Sequence, residues 1–142
     1  MWTRKRRAKK KLKKPYRLTS YWFGDDTNSG QCTGSGLCEW DFTINSKGWY
    51  EYQGYLVLAG ATPYLTNKYG VDYNKDYYEY YEIVNITIDG VDYQGIILDT
   101  CGRSYFVDYE QTIDLFVSSS KYKIDRGYKG NNPVYVWREQ KK

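Results

Sequence analysis

Two aspartates beside apolar segments are the side chains of this sequence best suited to acid–base chemistry. Asp99 ends the apolar run at residues 96–98, and Asp114 lies in a second apolar segment at residues 113–116. Burial and a neighbouring charge can both raise a carboxyl pKa, so one of these groups could act as an acid near neutral pH.

The rest of the composition excludes several other chemistries. The chain has no histidine, which excludes Ser-His-Asp and Cys-His catalytic sites and metal sites built on imidazole. Cys32 and Cys38 are six positions apart and Cys101 is distant, so they match no metal or redox motif. No metal or cofactor is predicted. Buried or incidental thiols are the preferred interpretation, and a Cys32–Cys38 disulfide that closes a loop is the alternative.

Short strand-like segments separated by turn residues fill most of the chain, and the eighteen tyrosines favour strands over helices. Asp89-Gly90, between apolar segments at 83–88 and 91–98, predicts a β-hairpin, and Pro63 begins a turn or brief helix. Further strands are predicted at residues 18–23, 55–59, 113–117 and 134–137. The fold class is therefore all-β with minor helix. Six or more short strands are expected, and closing them into a small barrel would remove the exposed strand edges.

Charge divides the chain into a basic arm, residues 1–17, and a single domain, residues 18–142. The arm holds ten Lys and Arg residues and no acid, and the remaining chain has a net charge of −6. Such an arm is expected to be disordered until it meets an anionic surface, and a solubilising tail is an equally good interpretation. No signal peptide is expected, since the arm has no apolar region, and no run of the chain is long enough for a membrane span.

The partner of this arm, residues 4–17 from Arg4 to Arg17, is predicted from its charge alone. Acidic faces of proteins in a larger assembly and anionic phosphates both fit a polycation. Nucleic acid is the weaker candidate, because the acidic domain offers no broad surface for phosphate.

Taken in order, the motifs of the chain resemble those of the 3D domain, a family named for three aspartates and related to membrane-bound lytic transglycosylase A. The resemblance covers about residues 18–137. Asp99-Thr100-Cys101-Gly102 is similar to the Asp-Thr-Gly-Gly of the family, and Ile113-Asp114-Leu115-Phe116 to its Ile-Asp-Leu-Phe. Weaker similarities are those of Leu18-Thr19-Ser20-Tyr21, Thr33-Gly34-Ser35-Gly36, Leu58-Ala59-Gly60-Ala61-Thr62-Pro63 and Val134-Tyr135-Val136.

The resemblance implies a six-stranded double-psi β-barrel that cleaves the glycan strands of peptidoglycan in the manner of a lytic transglycosylase. It nominates Asp99 and Asp114 as catalytic residues. Within it we assign Asp99 as the acid/base, because it ends an apolar strand where desolvation raises a carboxyl pKa, and expect Asp114 to orient it or to stabilise positive charge on the sugar. The sequence departs from the family pattern where Ala61 or Thr62 replaces the first aspartate, and where Cys101 replaces a glycine. Substrate contacts are expected from residues near the two motifs and from an aromatic ring that stacks on sugars, namely Thr100, Gly102, Asp108 and Trp49.

The resemblance also indicates where the protein acts. Domains of this kind without a leader are often carried by bacteriophages, so a virion or the extracellular face of a cell wall is the expected location. The alternative function is a non-catalytic structural or wall-binding component of a virion tail or another assembly, anchored by its basic arm. The missing third acid favours this alternative, and Asp99 with Asp114 favours the enzyme. The tyrosine-rich tract at residues 72–82 is either an exposed platform or a loop that leads into a strand.

Overall fold

A computed structural model describes residues 14–24, 30–101, 111–127, 132 and 134–138. This part of the chain forms eight strands and one α-helix, α1, at Pro63–Tyr69. The strands are β1 (Lys14–Tyr21), β2 (Thr43–Ile44), β3 (Tyr50–Tyr52), β4 (Tyr55–Gly60), β5 (Ile83–Ile88), β6 (Val91–Thr100), β7 (Gln111–Phe116) and β8 (Val134–Trp137). No helix in the described ranges has the length and apolar character needed to cross a membrane.

Six of these strands close into a barrel. The order around it is β4-β6-β5-β8-β1-β7, and β7 pairs again with β4 to complete the circle, while β2 and β3 extend the sheet beyond β4. The predicted all-β class with minor helix and a closed six-stranded barrel is therefore confirmed.

The barrel consists of two topologically equivalent halves. The parallel pairs are β1–β7 and β4–β6, and the other four barrel pairings are antiparallel. Exchanging β1, β4 and β5 with β6, β7 and β8, respectively, leaves every pairing and every strand direction unchanged. Each half thus contributes one strand of each parallel pair, so the two halves interlock.

The strongest local signal in the sequence gives the expected hairpin. β5 and β6 are antiparallel, with Ile88 opposite Val91. Asp89 and Gly90, the two turn residues between them, have φ angles of 51° and 78°. Asp and Gly tolerate this left-handed conformation better than most residues, which is why this dipeptide favours a two-residue turn.

The first strand begins earlier than the charge pattern predicts. β1 starts at Lys14, so residues 14–17 of the predicted arm belong to the sheet, whereas residues 1–13 lie outside the described part of the chain. Tyr16 is fully buried, and its hydroxyl lies 2.6 Å from that of Tyr78 and donates to Asp76 at 3.2 Å. Burying this aromatic ring draws the end of the basic run into the barrel.

Two apolar clusters lie on opposite faces of the barrel wall. The first fills the interior and includes Leu58, Ile97 and Leu115. The second covers the outer face of β4, β6 and β7, where Val57, Leu98 and Phe116 pack against side chains of β3, α1 and the loops. Because successive side chains of a strand point to opposite faces, the polar residues in register with the second cluster lie outside the barrel.

Candidate functional site

Asp99 and Asp114 lie in one row on the outer face of the barrel. Asp114 of β7 is opposite Ala59 of β4, and Ala59 is opposite Asp99 of β6. Thr19 of β1 lies opposite Asp114 and extends the row to a fourth strand. Residues in register on adjacent strands present their side chains on the same face. The two aspartates therefore flank a single small side chain, with their Cα atoms separated by two strand spacings, roughly 10 Å.

A β-bulge gives Asp99 its place in this row. Leu58 pairs with Ile97, but the next residue, Ala59, pairs with Asp99, so Leu98 is an additional residue in β6. Without the bulge, Ala59 would lie opposite Leu98. Bulges commonly re-aim side chains next to functional sites.

Backbone amides hold one oxygen of the Asp99 carboxyl group. The N–H groups of Gly34 and Thr100 donate to Oδ1 at 3.0 and 2.9 Å. The Tyr21 hydroxyl donates to Oδ2 at a long 3.5 Å. Burial raises the pKa of Asp99, and these three hydrogen bonds lower it by a smaller amount, so the pKa stays above its ordinary value. The side chain is only partly buried, so the carboxyl group keeps some access to solvent.

A disulfide-closed loop supplies the Gly34 amide. Cys32 and Cys38 are bonded, so the preferred interpretation of incidental thiols is wrong for this pair, and the alternative is correct. The loop is tied to the barrel by a hydrogen bond from the Ser35 N–H to the Leu98 carbonyl at 3.0 Å. A Cβ atom at Gly34 would lie 2.3 Å from the Tyr80 hydroxyl oxygen and 3.1 Å from Asp99 Oδ1, so a side chain here would displace Tyr80 or the loop.

Tyr21 and Cys101 connect the surroundings of the two aspartates. Both carboxylates act on the Tyr21 hydroxyl, whose pKa is raised first by burial and then by the charges of Asp99 and Asp114. Burial likewise raises the pKa of the Cys101 thiol, and both aspartates contribute to the shift. Cys101 is therefore a neutral, buried thiol. It is not expected to be reactive, because a reactive cysteine needs a stabilised thiolate. Tyr21 stays protonated and able to donate a hydrogen bond.

Thr100, the residue after Asp99, belongs to a hydroxyl cluster. Its Oγ1 lies 2.6 Å from that of Thr62 and 2.9 Å from the Tyr80 hydroxyl. The Tyr81 hydroxyl donates to the Ser35 carbonyl at 3.4 Å. The tyrosine-rich tract therefore forms a loop that leads into β5 and links the disulfide-closed loop to β6.

Trp49, the predicted aromatic substrate contact, lies in the interior cluster and not on the outer face that carries the two aspartates. Trp49 is 7% exposed, belongs to the interior cluster, and makes an edge-to-face contact with Tyr93 at 5.7 Å between ring centroids. A ring buried in this way offers no free face for stacking on a sugar. Gly102 and Asp108 lie outside the described residues.

The sequence reasoning missed two contributors to the environment of Asp99, the Gly34 amide and the Tyr21 hydroxyl. Every residue except proline has a backbone N–H, so residue types do not show which N–H binds a carboxylate. Only the glycine-rich turn indicated the Gly34 amide. For Tyr21 a signal existed: in a strand where Leu18 faces inward, Thr19 and Tyr21 share the outer face.

No cluster of three or more potential metal ligands occurs in the described ranges. A scan against protein-family models, a search of curated proteins and a search of solved structures each find no match for this chain. The relationship to the 3D domain thus stays a prediction based on the motifs of the sequence.

Proposed function

We propose that this protein cleaves glycan strands of peptidoglycan as a lytic transglycosylase does, on a barrel of the double-psi type. The observation that carries the proposal is the partly buried Asp99, whose pKa burial raises, in one row with Asp114. The two interlocked halves of the barrel support the double-psi assignment. A general acid must keep its proton to higher pH and still reach the substrate; burial shifts the pKa of Asp99 in that direction, and its carboxyl group is only partly buried.

The hydrogen bonds of Asp99 indicate which oxygen carries the proton. Oδ1 accepts two backbone N–H groups, which makes it the less basic oxygen, so the proton belongs on Oδ2. In the proposed reaction Oδ2 donates this proton to the glycosidic oxygen, and the bond between that oxygen and the anomeric carbon breaks. The 6-hydroxyl of the same sugar then attacks the anomeric carbon and returns its proton to Oδ2. The products are a 1,6-anhydro end and a free 4-hydroxyl.

Asp114 is proposed to stabilise the positive charge that develops on the sugar ring. Its Cα atom lies two strand spacings from that of Asp99, and only the small side chain of Ala59 is between them in the row. Separations of about 6.5–9.5 Å between the two carboxyl groups leave room for a reacting group in other glycan-cleaving enzymes. One acid/base is enough here, since the substrate supplies its own nucleophile.

A non-catalytic structural or wall-binding role in a virion tail or similar assembly is the second candidate. Two backbone amides on Oδ1 are also what a purely structural aspartate would have. Where the resembling family has its first aspartate, Ala61 and Thr62 are both buried and uncharged. In this role the basic residues of the predicted arm that precede β1 would bind acidic partners in the assembly.

Incubation with purified murein sacculi tests the proposal. Wild type should release anhydro-muropeptides detectable by mass, whereas Asp99→Asn should release none, because the amide carries no transferable proton. Asp92→Asn is a matched control, since Asp92 lies in the same strand, is exposed and accepts from Thr87. Absence of release by wild type between about pH 4 and pH 8 would favour the structural role.

A further inference from the structure

The disulfide between Cys32 and Cys38 closes the loop that reaches Asp99. The residues that it encloses, 33–37, include Gly34, whose N–H donates to Asp99 Oδ1 at 3.0 Å. Cys32 is exposed, so a reductant in solution can approach the bond from that side. Exposed disulfides are reduced more readily than buried ones. A bond open to reduction thus closes the loop that gives the proposed acid one of its hydrogen bonds.

Within the described part of the chain, the enclosed residues have few other attachments to the barrel. Ser35 donates its N–H to the Leu98 carbonyl at 3.0 Å and accepts from the Tyr81 hydroxyl at 3.4 Å. Among the enclosed residues only Thr33 is buried, and the half-buried Leu37 packs against the second cluster. A segment with so few buried contacts opens at a low cost in free energy, so its order depends on the bond that closes it.

Cys38 is the fixed end of this loop and Cys32 the end that reduction would release. Cys38 is buried, and Phe42 shortly after it is packed in the second cluster. After reduction, backbone hydrogen bonds such as that from the Glu39 N–H to the Gln31 carbonyl, at 2.8 Å, would have to hold Cys32 beside Cys38. Glu39 and Gln31 are both exposed, and water competes for such bonds. The loop would therefore open from the Cys32 end.

The third cysteine does not compete for this pairing. Cys101 is free and buried, and burial raises the pKa of its thiol. Thiol–disulfide exchange needs a thiolate that can reach the disulfide, so a buried neutral thiol takes no part in it. Reduction and reoxidation therefore interconvert two states of a single bond, that between Cys32 and Cys38.

We propose that this disulfide is a redox switch for the hydrogen bonding of Asp99. In the oxidised state the closed loop holds the Gly34 N–H on Oδ1, and in the reduced state the loop opens and Oδ1 loses this donor. The consequence for catalysis rests on the proposed function: the oxidised protein cleaves glycan and the reduced protein does so poorly. Cytosolic thiols keep cysteines reduced, whereas disulfides persist outside the cytoplasm, where peptidoglycan lies. The switch would thus restrict cleavage to the compartment of the substrate.

The switch is a two-electron exchange with a dithiol reductant. One thiolate of the reductant attacks the Cys32 sulfur, the bond to Cys38 breaks, and the Cys38 sulfur leaves as a thiolate that takes up a proton. The second thiolate of the reductant then displaces the Cys32 sulfur, which takes up a proton, and the reductant leaves as a disulfide. Two electrons and two protons thus pass from the dithiol to the cysteine pair.

Amide hydrogen exchange measured by NMR tests the switch without any substrate. The Gly34 N–H should exchange about tenfold faster after wild type is reduced with dithiothreitol, and exchange slowly again after reoxidation. The Leu18 N–H, which donates to the Arg126 carbonyl at 2.9 Å, is the control for the barrel and should exchange equally in both states. Equal exchange of the Gly34 N–H in the oxidised and reduced protein would overturn the switch.

Cleavage of murein sacculi provides the second readout. Oxidised wild type should release anhydro-muropeptides about tenfold faster than reduced wild type, because a misplaced acid loses its alignment with the substrate. A double variant, Cys32→Ser with Cys38→Ser, should be slow with and without dithiothreitol. Equal release by oxidised and reduced wild type, or an effect of dithiothreitol on the double variant, would overturn the switch. Redox-dependent exchange of Gly34 in a protein that cleaves nothing in either state would uphold the switch at Asp99 and refute the enzymatic function.

Discussion

Gly34→Ala should disrupt the environment of Asp99 more than the size of a methyl group suggests. The added Cβ would lie 2.3 Å from the Tyr80 hydroxyl oxygen, whereas ordinary contacts between such atoms are about 3.5 Å, so something must move by about 1 Å. Either Tyr80 withdraws from Thr100, now at 2.9 Å, or the loop withdraws its N–H from Asp99, now at 3.0 Å.

The cost follows from which hydrogen bond is lost. A hydrogen bond between neutral groups contributes about 0.5–1.5 kcal/mol and one to a charged group about 1.5–3 kcal/mol. We therefore expect Gly34→Ala to lower the free energy of unfolding by about 1–3 kcal/mol, and to reduce glycan cleavage because Asp99 Oδ1 loses a donor. Backbone strain contributes nothing, since Gly34 does not have a positive φ angle.

Urea denaturation measures this cost against a control at Gly30, two residues before the disulfide-closed loop. A Cβ at Gly30 meets nothing within 4 Å, so Gly30→Ala should change stability by less than about 0.5 kcal/mol. In a Tyr80→Phe background the penalty of Gly34→Ala should shrink by about 1 kcal/mol, because the closest atom is gone. Equal effects of Gly34→Ala and Gly30→Ala would refute the close packing of this loop on Asp99.

Three further outcomes follow from the described contacts. Burial raises the pKa of Asp99 in the folded protein, so the stability that Asp99 contributes at low pH is lost as the pH rises through the folded-state pKa. Asn cannot ionise, so Asp99→Asn should be more stable than wild type at about pH 7. Urea titrations should show this difference vanishing near pH 3. Replacing Cys32 and Cys38 by serine should cost about 2 kcal/mol, the loop-closure value for a ring of this size, and no loss on reduction would contradict the disulfide. Trp49→Ala should cost about 3–5 kcal/mol in thermal unfolding and Trp40→Ala less than about 0.5 kcal/mol, so equal losses would contradict the burial of Trp49.

Local signals in the sequence predicted most strands and the short helix, but they did not predict which distant strands pair. Asp89-Gly90 determines its hairpin through the conformation of two residues. The parallel pairing of β1 with β7 joins residues almost a hundred positions apart, such as Leu18 and Ile113, and no local pattern encodes it. The start of β1 was missed because the basic side chains before Tyr16 conceal a fully buried ring.

The sequence indicated the two aspartates of the candidate site, Asp99 and Asp114, but not the groups that surround them. The position of Asp99 at the end of an apolar strand indicated burial, and the structure gives the raised pKa that burial implies. The bulge at Leu98, which sets the register of Asp99, interrupts the alternation of inward and outward side chains. Because this segment is apolar on both faces, the sequence shows no such interruption. An aromatic ring suits a sugar platform and an interior equally well, so the sequence alone does not reveal that Trp49 is buried.

Carbon-13 NMR of the aspartate carboxyl groups tests the central claim, that burial of Asp99 outweighs its hydrogen bonds and keeps it protonated to higher pH. The Asp99 signal is identified by its absence in Asp99→Asn and followed through a pH titration of wild type. The pKa should lie clearly above the ordinary value of 3.8. A pKa at or below that value would mean that the amides of Gly34 and Thr100 dominate, and it would contradict the role of Asp99 as an acid.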